Sequence, residues 1–240
     1  MTALQSAPYD RRMRLATVVI ALIIALVTSC GGGGGQQAAP AHKATLPPGA
    51  TLLADSAAAM RTVTTTHFAV NVAGNAPEVQ LRSAEGQLTR DGSAQGTATV
   101  DEGRQTLEMK FAVIGGTVYL QPPTGPVQKL PASMLSAYLD PSAILDPNRG
   151  IAAVLASGQG ATTQDREQLD GVDSYRLKVD FPAQPLGTLV PGLGLVPGTS
   201  EVWVAAAGSR LIQAQFPTRY GTATVHFSDF DAPVQITPPA

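Results

Sequence analysis

The single cysteine of this 240-residue chain, Cys30, closes the stretch Leu26-Val27-Thr28-Ser29-Cys30, which has the form of a bacterial lipobox. The chemistry such a stretch supports is thioether formation. An unhindered thiol after small residues takes a diacylglycerol, and the chain is then cut just before it. The residues upstream fit an export signal, with Arg11, Arg12 and Arg14 as the charged start and Leu15 to Val27 as the apolar run. That run is short for a bilayer span. Arg11-Arg12 also raises a twin-arginine signal, but Met13-Arg14-Leu15 fits it poorly, and the general secretory route is expected. Residues 1–29 therefore read as a signal peptide and Cys30 as the lipidation site. Two acyl chains, at about 0.8 kcal/mol per buried methylene, suffice to hold a protein on the cell membrane facing the periplasmic space.

Other reactive constellations are missing from the sequence. It contains no Gly-x-Ser-x-Gly elbow, no His-Glu-x-x-His and no phosphate-cradling glycine loop. His42, His67 and His226 are scattered, too few for a metal centre. Asp229 and Asp231 flank Phe230 and read as a solvated strand edge rather than an acid and base pair. The expectation is a protein without catalysis, metal or cofactor, whose stability comes from its core, since a second cysteine for a disulfide is lacking. Without residues 1–29 the chain carries 13 basic and 17 acidic residues, a net charge of −4. That balance argues against nucleic acid as a partner and provides no polybasic patch for a membrane surface.

Residues 30–48 run from the lipidated cysteine through five glycines and then Gln, Ala and Pro. They lack the apolar side chains needed to order themselves and read as a tether. Residues 49–240 are long enough for one domain with a sizeable core. It opens with a predicted helix over residues 50–63, where Leu53, Ala57, Met60 and Val63 recur at helical spacing. Beyond residue 63 most of the chain alternates as strand. Leu107, Met109, Phe111 and Val113 share one face of residues 104–113, and Tyr175, Leu177, Val179 and Phe181 share one face of residues 174–181, with Ser174, Arg176, Lys178 and Asp180 on the wet side. Further strands are expected near 67–74, 79–90, 94–101, 117–121, 162–169, 201–206, 209–216 and 219–228. A sheet with one wet face is normally antiparallel. Between the strands, residues 131–155 contain Asp140-Pro141 and Asp146-Pro147, which punctuate two or three short helices. The fold class is α+β, a large antiparallel sheet with helices on one side.

Two features bear on the apolar face. Gly-Thr-Ala-Thr-Val occurs at residues 96–100 and again at 221–225, so Gly96, Ala98 and Val100 share one face, as do Gly221, Ala223 and Val225. Facing inward, these small residues line a space they do not fill; coincidence, or close packing of a helix on them, is the alternative. Residues 182–198 form a Pro- and Gly-rich loop with Leu186, Leu189, Leu193 and Leu195. Either it is a cavity mouth or membrane-contact element, or its leucines cover one end of the core.

The sequence resembles the mycobacterial LppX/LprAFG lipoproteins, a family that includes the lipoarabinomannan carrier. The resemblance is carried by the lipobox and tether, by residues 111–119 (Phe-Ala-Val-Ile-Gly-Gly-Thr-Val-Tyr), and by Tyr138-Leu139-Asp140-Pro141 running into residues 144–151. It is carried as well by Asp170-Gly171-Val172, Val202-Trp203-Val204 and residues 227–236. It implies a strongly curved sheet, a half-barrel with helices on its concave side, enclosing an apolar cavity. In that cavity the family carries multi-acylated envelope lipids between membrane layers. Together with the alternation it implies a lining of Phe68, Val70, Ala98, Val100, Leu107, Met109, Phe111, Val113, Ala223 and Val225. The partners implied are an acylated glycolipid or phospholipid as cargo, such as a phosphatidylinositol mannoside, lipoarabinomannan or triacylglycerol. The membrane itself and a membrane transporter that exchanges the cargo are implied as well. Two departures stand out: Phe230 occupies a place where the family has Trp or a similar aromatic, and the loop at 182–198 has its own composition. The rival reading is an envelope interaction or signalling lipoprotein with a packed core.

Overall fold

The computed structural model describes residues 45–74, 81–102, 105–134, 140–182, 184, 187, 195–219 and 221–239. Residues 1–44, which hold the expected signal peptide, Cys30 and most of the expected tether, lie outside them, as do Leu186, Leu189 and Leu193.

Helix α1 (Gly49–Met60) starts after Pro48, whose carbonyl accepts from Thr51 and Leu52. Ten strands follow the expected order: β1 (Thr65–Gly74), β2 (Leu81–Thr89), β3 (Ala94–Glu102), β4 (Gln105–Ile114) and β5 (Thr117–Gln121), then, after the mid-chain helices, β7 (Gln159–Leu169), β8 (Val172–Phe181), β9 (Gly198–Ala205), β10 (Leu211–Thr218) and β11 (Gly221–Ser228). One further strand, β6 (Gln128–Pro131), was not expected; four residues are too few to display alternation. A 3₁₀ turn (Ala132–Met134) and helices α2 (Pro141–Ile144) and α3 (Ile151–Ser157) occupy the mid-chain region. Asp140 caps α2, its Oδ1 accepting from the Ser142 N–H at 3.0 Å, with Pro141 as the first helical residue.

Among the described residues eleven strands form one antiparallel sheet in the order β6-β5-β4-β3-β2-β1-β11-β10-β9-β8-β7. The chain lays down β1 to β6 outward in one direction, crosses through its short helices, and returns from β7 inward until β11 pairs with β1. Tight turns make this possible: Gly115-Gly116 (φ 55° and 79°) and Asp170-Gly171 (φ 50° and 80°) take the left-handed conformations that match the twist of a hairpin. The sheet is curved and unclosed, with β6 and β7 as its two free edges.

The inner face of the sheet carries Phe68, Leu88, Val113, Leu177 and Phe216, which share one hydrophobic core with Leu53, Ala57 and Met60 of α1 and with Ile151, Val154 and Leu155 of α3. Helix α1 packs against α3 and β7. Contact is tight: a Cβ placed on Gly158 would come within 3 Å of Val179, Leu53 and Phe181. Two arginines hold the end of α1, where carbonyls lack helical partners. Arg210 Nη1 donates to the Ala59 carbonyl at 3.1 Å, and Arg90 Nη2 donates to that of Arg61 at 2.9 Å. The opposite, outer face has a smaller cluster of Trp203, Ala205 and Ile212 with Leu169 and Phe230 against it. This cluster explains why Ser174, expected on the wet side of β8, is fully buried.

Candidate functional site

The strand registers set the inner residues of β1 to β4 in rows. One row is Phe68, Gly86, Gly96 and Phe111; the next, toward the Gly74 end of β1, is Val70, Ala84, Ala98 and Met109; beyond it Leu81, Val100 and Leu107 continue the face. Across the central seam Phe68 pairs with Phe227, Val70 with Val225 and Val72 with Ala223. The ten residues expected to line a lipid space thus fall on one face by register.

Their environments differ along the strands. At the end near the β2–β3 turn, Leu88, Ala94, Val113 and Val118 are 5% exposed or less. Toward the opposite end Val70, Ala84, Ala98, Val100, Leu107, Met109 and Phe111 are only half-buried. Ala223 is fully covered in a small cluster with Val72, against which Val70, Leu81 and Leu195 pack. Leu195, bridged to Thr218, is thus half-buried at the edge of this face. The strip of half-covered apolar side chains runs continuously across four strands, β1 to β4, and what such a strip can do is hold apolar matter out of water.

The small residues need separate explanations. Gly86 faces Gly96 across β2 and β3, and a Cβ on either would fall on the backbone of the other strand; Gly221 stands in the same relation to the Ala73 carbonyl. The glycines that open the two pentapeptides are therefore required by close backbone approach, a finding that replaces the reading of Gly96 and Gly221 as unfilled space. Ala98 and Ala223 are not so constrained. Sequence reasoning also passed over Ala84 and Gly86. Their strand, Leu-Arg-Ser-Ala-Glu-Gly-Gln-Leu-Thr, has too few large apolar residues to mark its inner face, and only the partners Ala98 and Gly96 would have revealed them.

Several titratable groups serve structure. Asp231, read from sequence as a solvated edge, accepts from the Thr64 N–H at 2.8 Å, from Thr64 Oγ1 at 2.9 Å and from Arg210 Nη2 at 2.8 Å. Those bonds, that of the Thr64 N–H first, hold its carboxyl below the usual range. It locks the end of β11 to the start of β1. On the outer face Trp203 Nε1 donates to Glu167 at 2.7 Å, and Arg176 pairs with Glu167 and Glu201 at 3.1 and 3.3 Å. His226 Nε2 lies 3.3 Å from Asp170 Oδ2, and among the described residues no three metal-ligating side chains gather. A shallow recess of about 540 Å³ opens on the outer face over β1 to β4, away from the apolar strip.

Comparison with known proteins agrees with this architecture. Residues 48–236 match the family model described as LppX_LprAFG lipoprotein. The chain is 33% identical over 205 residues to the lipoarabinomannan carrier protein LprG of Mycolicibacterium smegmatis, covering 82% of this chain and 85% of that protein. It is 32% identical over 203 residues to the lipoprotein LprA of Mycobacterium tuberculosis, covering 79% and 81%. Among solved structures, LprF of Mycobacterium bovis superposes with a TM-score of 0.71 at 25% identity, covering 80% of this chain and 97% of that one. LppX of Mycobacterium tuberculosis gives 0.59 at 21%, covering 78% and 98%, which supports the fold alone. The half-barrel sheet, its order of elements and these matches along most of the sequence establish that the chain belongs to the LppX/LprAFG lipoprotein family.

Proposed function

We propose that this protein is a membrane-anchored carrier that holds multi-acylated envelope lipids against the inner apolar face and moves them across the periplasmic space of an actinobacterial envelope. The observation that carries the reading is the half-buried strip of Val70, Ala84, Ala98, Val100, Leu107 and Met109. An acyl chain laid there is removed from water at about 0.8 kcal/mol per methylene. The same term, summed over two or three chains, makes unaided desorption of such a lipid from a bilayer negligible, so a protein sleeve meets a physical need. The curated relatives named as lipoarabinomannan carriers support an acylated glycolipid as cargo. Helices on a concave inner face and a fuller cavity behind the strip belong to this proposal. So do cleavage before Cys30, its acylation, residues 30–48 as a tether, Leu186, Leu189, Leu193 and Leu195 as the mouth, and a transporter that exchanges cargo. The protein would act by binding alone, without catalysis or cofactor.

Protein purified from an actinobacterial host, extracted with organic solvent and analysed by mass spectrometry, should release acylated lipid in stoichiometric amount. An extract empty of lipid would favour the rival, an envelope lipoprotein with a packed core. Anchoring is checked separately: Cys30→Ala should abolish membrane retention of the processed protein, and retention unchanged would end the lipobox reading.

A further inference from the structure

The outer-face recess has the chemistry of a second binding site. Gly86, Gly96 and Phe111 direct their side chains, where they have any, to the inner face, so they give its floor main chain alone. His67, Gln87, Gln95, Thr97 and Lys110 stand on the outer face around it, His67 beside Gln87 and 3.5 Å from the Ser228 hydroxyl through Nδ1, and the extended segment Thr237–Pro239 forms a wall. Gln95 ties wall to floor. Its Oε1 accepts from the Thr237 N–H at 2.8 Å, which fixes the orientation of the amide, and its Nε2 then donates to Gln87 Oε1 at 3.2 Å. That leaves the Gln87 Nε2 donors, the Thr97 hydroxyl and the Lys110 ammonium without a partner among the described residues. Three of the lining residues, Thr237, Pro238 and Pro239, lie beyond the stretch that matches the family, and the others lie within it.

We propose that this recess binds a polyhydroxylated ring, a monosaccharide or cyclic polyol. The recess is a shallow depression open to solvent, and its volume of about 540 Å³ leaves room for a single ring. A ring bearing several hydroxyls both donates and accepts, which matches an amide, a hydroxyl and an ammonium set around exposed main chain. The proline rings of Pro238 and Pro239 offer an apolar wall to its C–H face. A simple anion is less well served, because Lys110 is the one permanent cation in the lining. Glu85, in register with Thr97 on the same face, adds a negative charge beside it.

The site lies on the opposite face from the lipid strip, so the test separates it from the carrier reading. Isotope-labelled protein is titrated with methyl glucoside, methyl mannoside, myo-inositol and, as the competing class, inorganic phosphate. The expected result is amide shifts confined to His67, Gln87, Gln95, Thr97, Lys110 and Thr237 with at least one ring compound. Gln87→Leu with Thr97→Val should weaken that binding roughly tenfold, two hydrogen bonds' worth. Truncation after Ile236 should abolish it, while Ala98→Trp on the inner face should leave it unchanged. Absence of any sugar-induced shift, shifts with phosphate alone, or undiminished binding by the truncated protein would overturn the proposal.

Discussion

On β8 to β10 the inner side chains Leu177, Val179, Val202 and Leu211 are at most 1% exposed, whereas on β2 to β4 the inner residues Ala84, Ala98 and Met109 are half-buried. The two halves of the sheet are built alike, by antiparallel hairpins with alternating apolar residues. What separates them is that α1 packs against α3 and β7, so one half devotes its apolar face to holding the fold. The other leaves part of that face half-covered. An apolar alternation in a sequence thus marks a face, and the elements packed on it decide whether that face is core or site.

Substituting one alanine in each half breaks the comparison most sharply. Ala214, 1% exposed on β10, has no room for an indole, and Ala214→Trp is expected to cost about 3 kcal/mol or more by overpacking. Ala98→Trp should melt close to the parent in the lipid-free state and retain much less lipid. Equal loss of stability in both, by calorimetry, would mean that the halves do not differ and that Ala98 is packed as core. The next contrast is truncation. Leu177→Ala should cost about 2–5 kcal/mol in urea unfolding, against roughly 1 kcal/mol or less for Met109→Ala, whose deficit should appear in lipid retention instead.

Gly96→Ala sharpens the boundary between the two kinds of small residue. With a neighbouring backbone in the way of its Cβ, it should cost about 1–3 kcal/mol, while Ala98→Gly in the same strand costs only about 0.5–1 kcal/mol through backbone freedom. Comparable penalties would show that strand approach does not explain the glycine. The smallest effect belongs to the seam that joins the halves. Asp231→Asn should cost about 0.5–1 kcal/mol near neutral pH, modest because the group is partly solvated. The native carboxyl titrates below its unfolded value of about 3.9, so its contribution is complete above that value and is lost as pH falls through the native one. The difference between variant and parent should therefore vanish in acid; a gap that persists there would assign the effect to packing.

The strands and α1 were legible because alternation and helical spacing are local properties, and Asp140-Pro141 marked α2 because a cap and a proline act within one turn. Strand β6 was invisible for lack of length. Gly96 was misread because its constraint comes from Gly86, a partner fixed only when β2 and β3 pair. Ser174 looked wet because the outer cluster around Trp203 assembles from β9 and β10, distant in sequence. The inner face could be named from the alternation of β4 and the echo of residues 96–100 in 221–225. Its division into sealed and half-covered parts depends on where the helices settle, which no single segment encodes.

The strand order has a mechanical consequence. A closed barrel fixes its girth through strand number and stagger, but here the ring is interrupted between β6 and β7, the edges that the chain joins through α2 and α3. The sheet can flatten or tighten by small changes in twist at each pair, and no ladder hydrogen bond has to break for the gap to widen. Girth is then an elastic variable, governed by the connection across the gap.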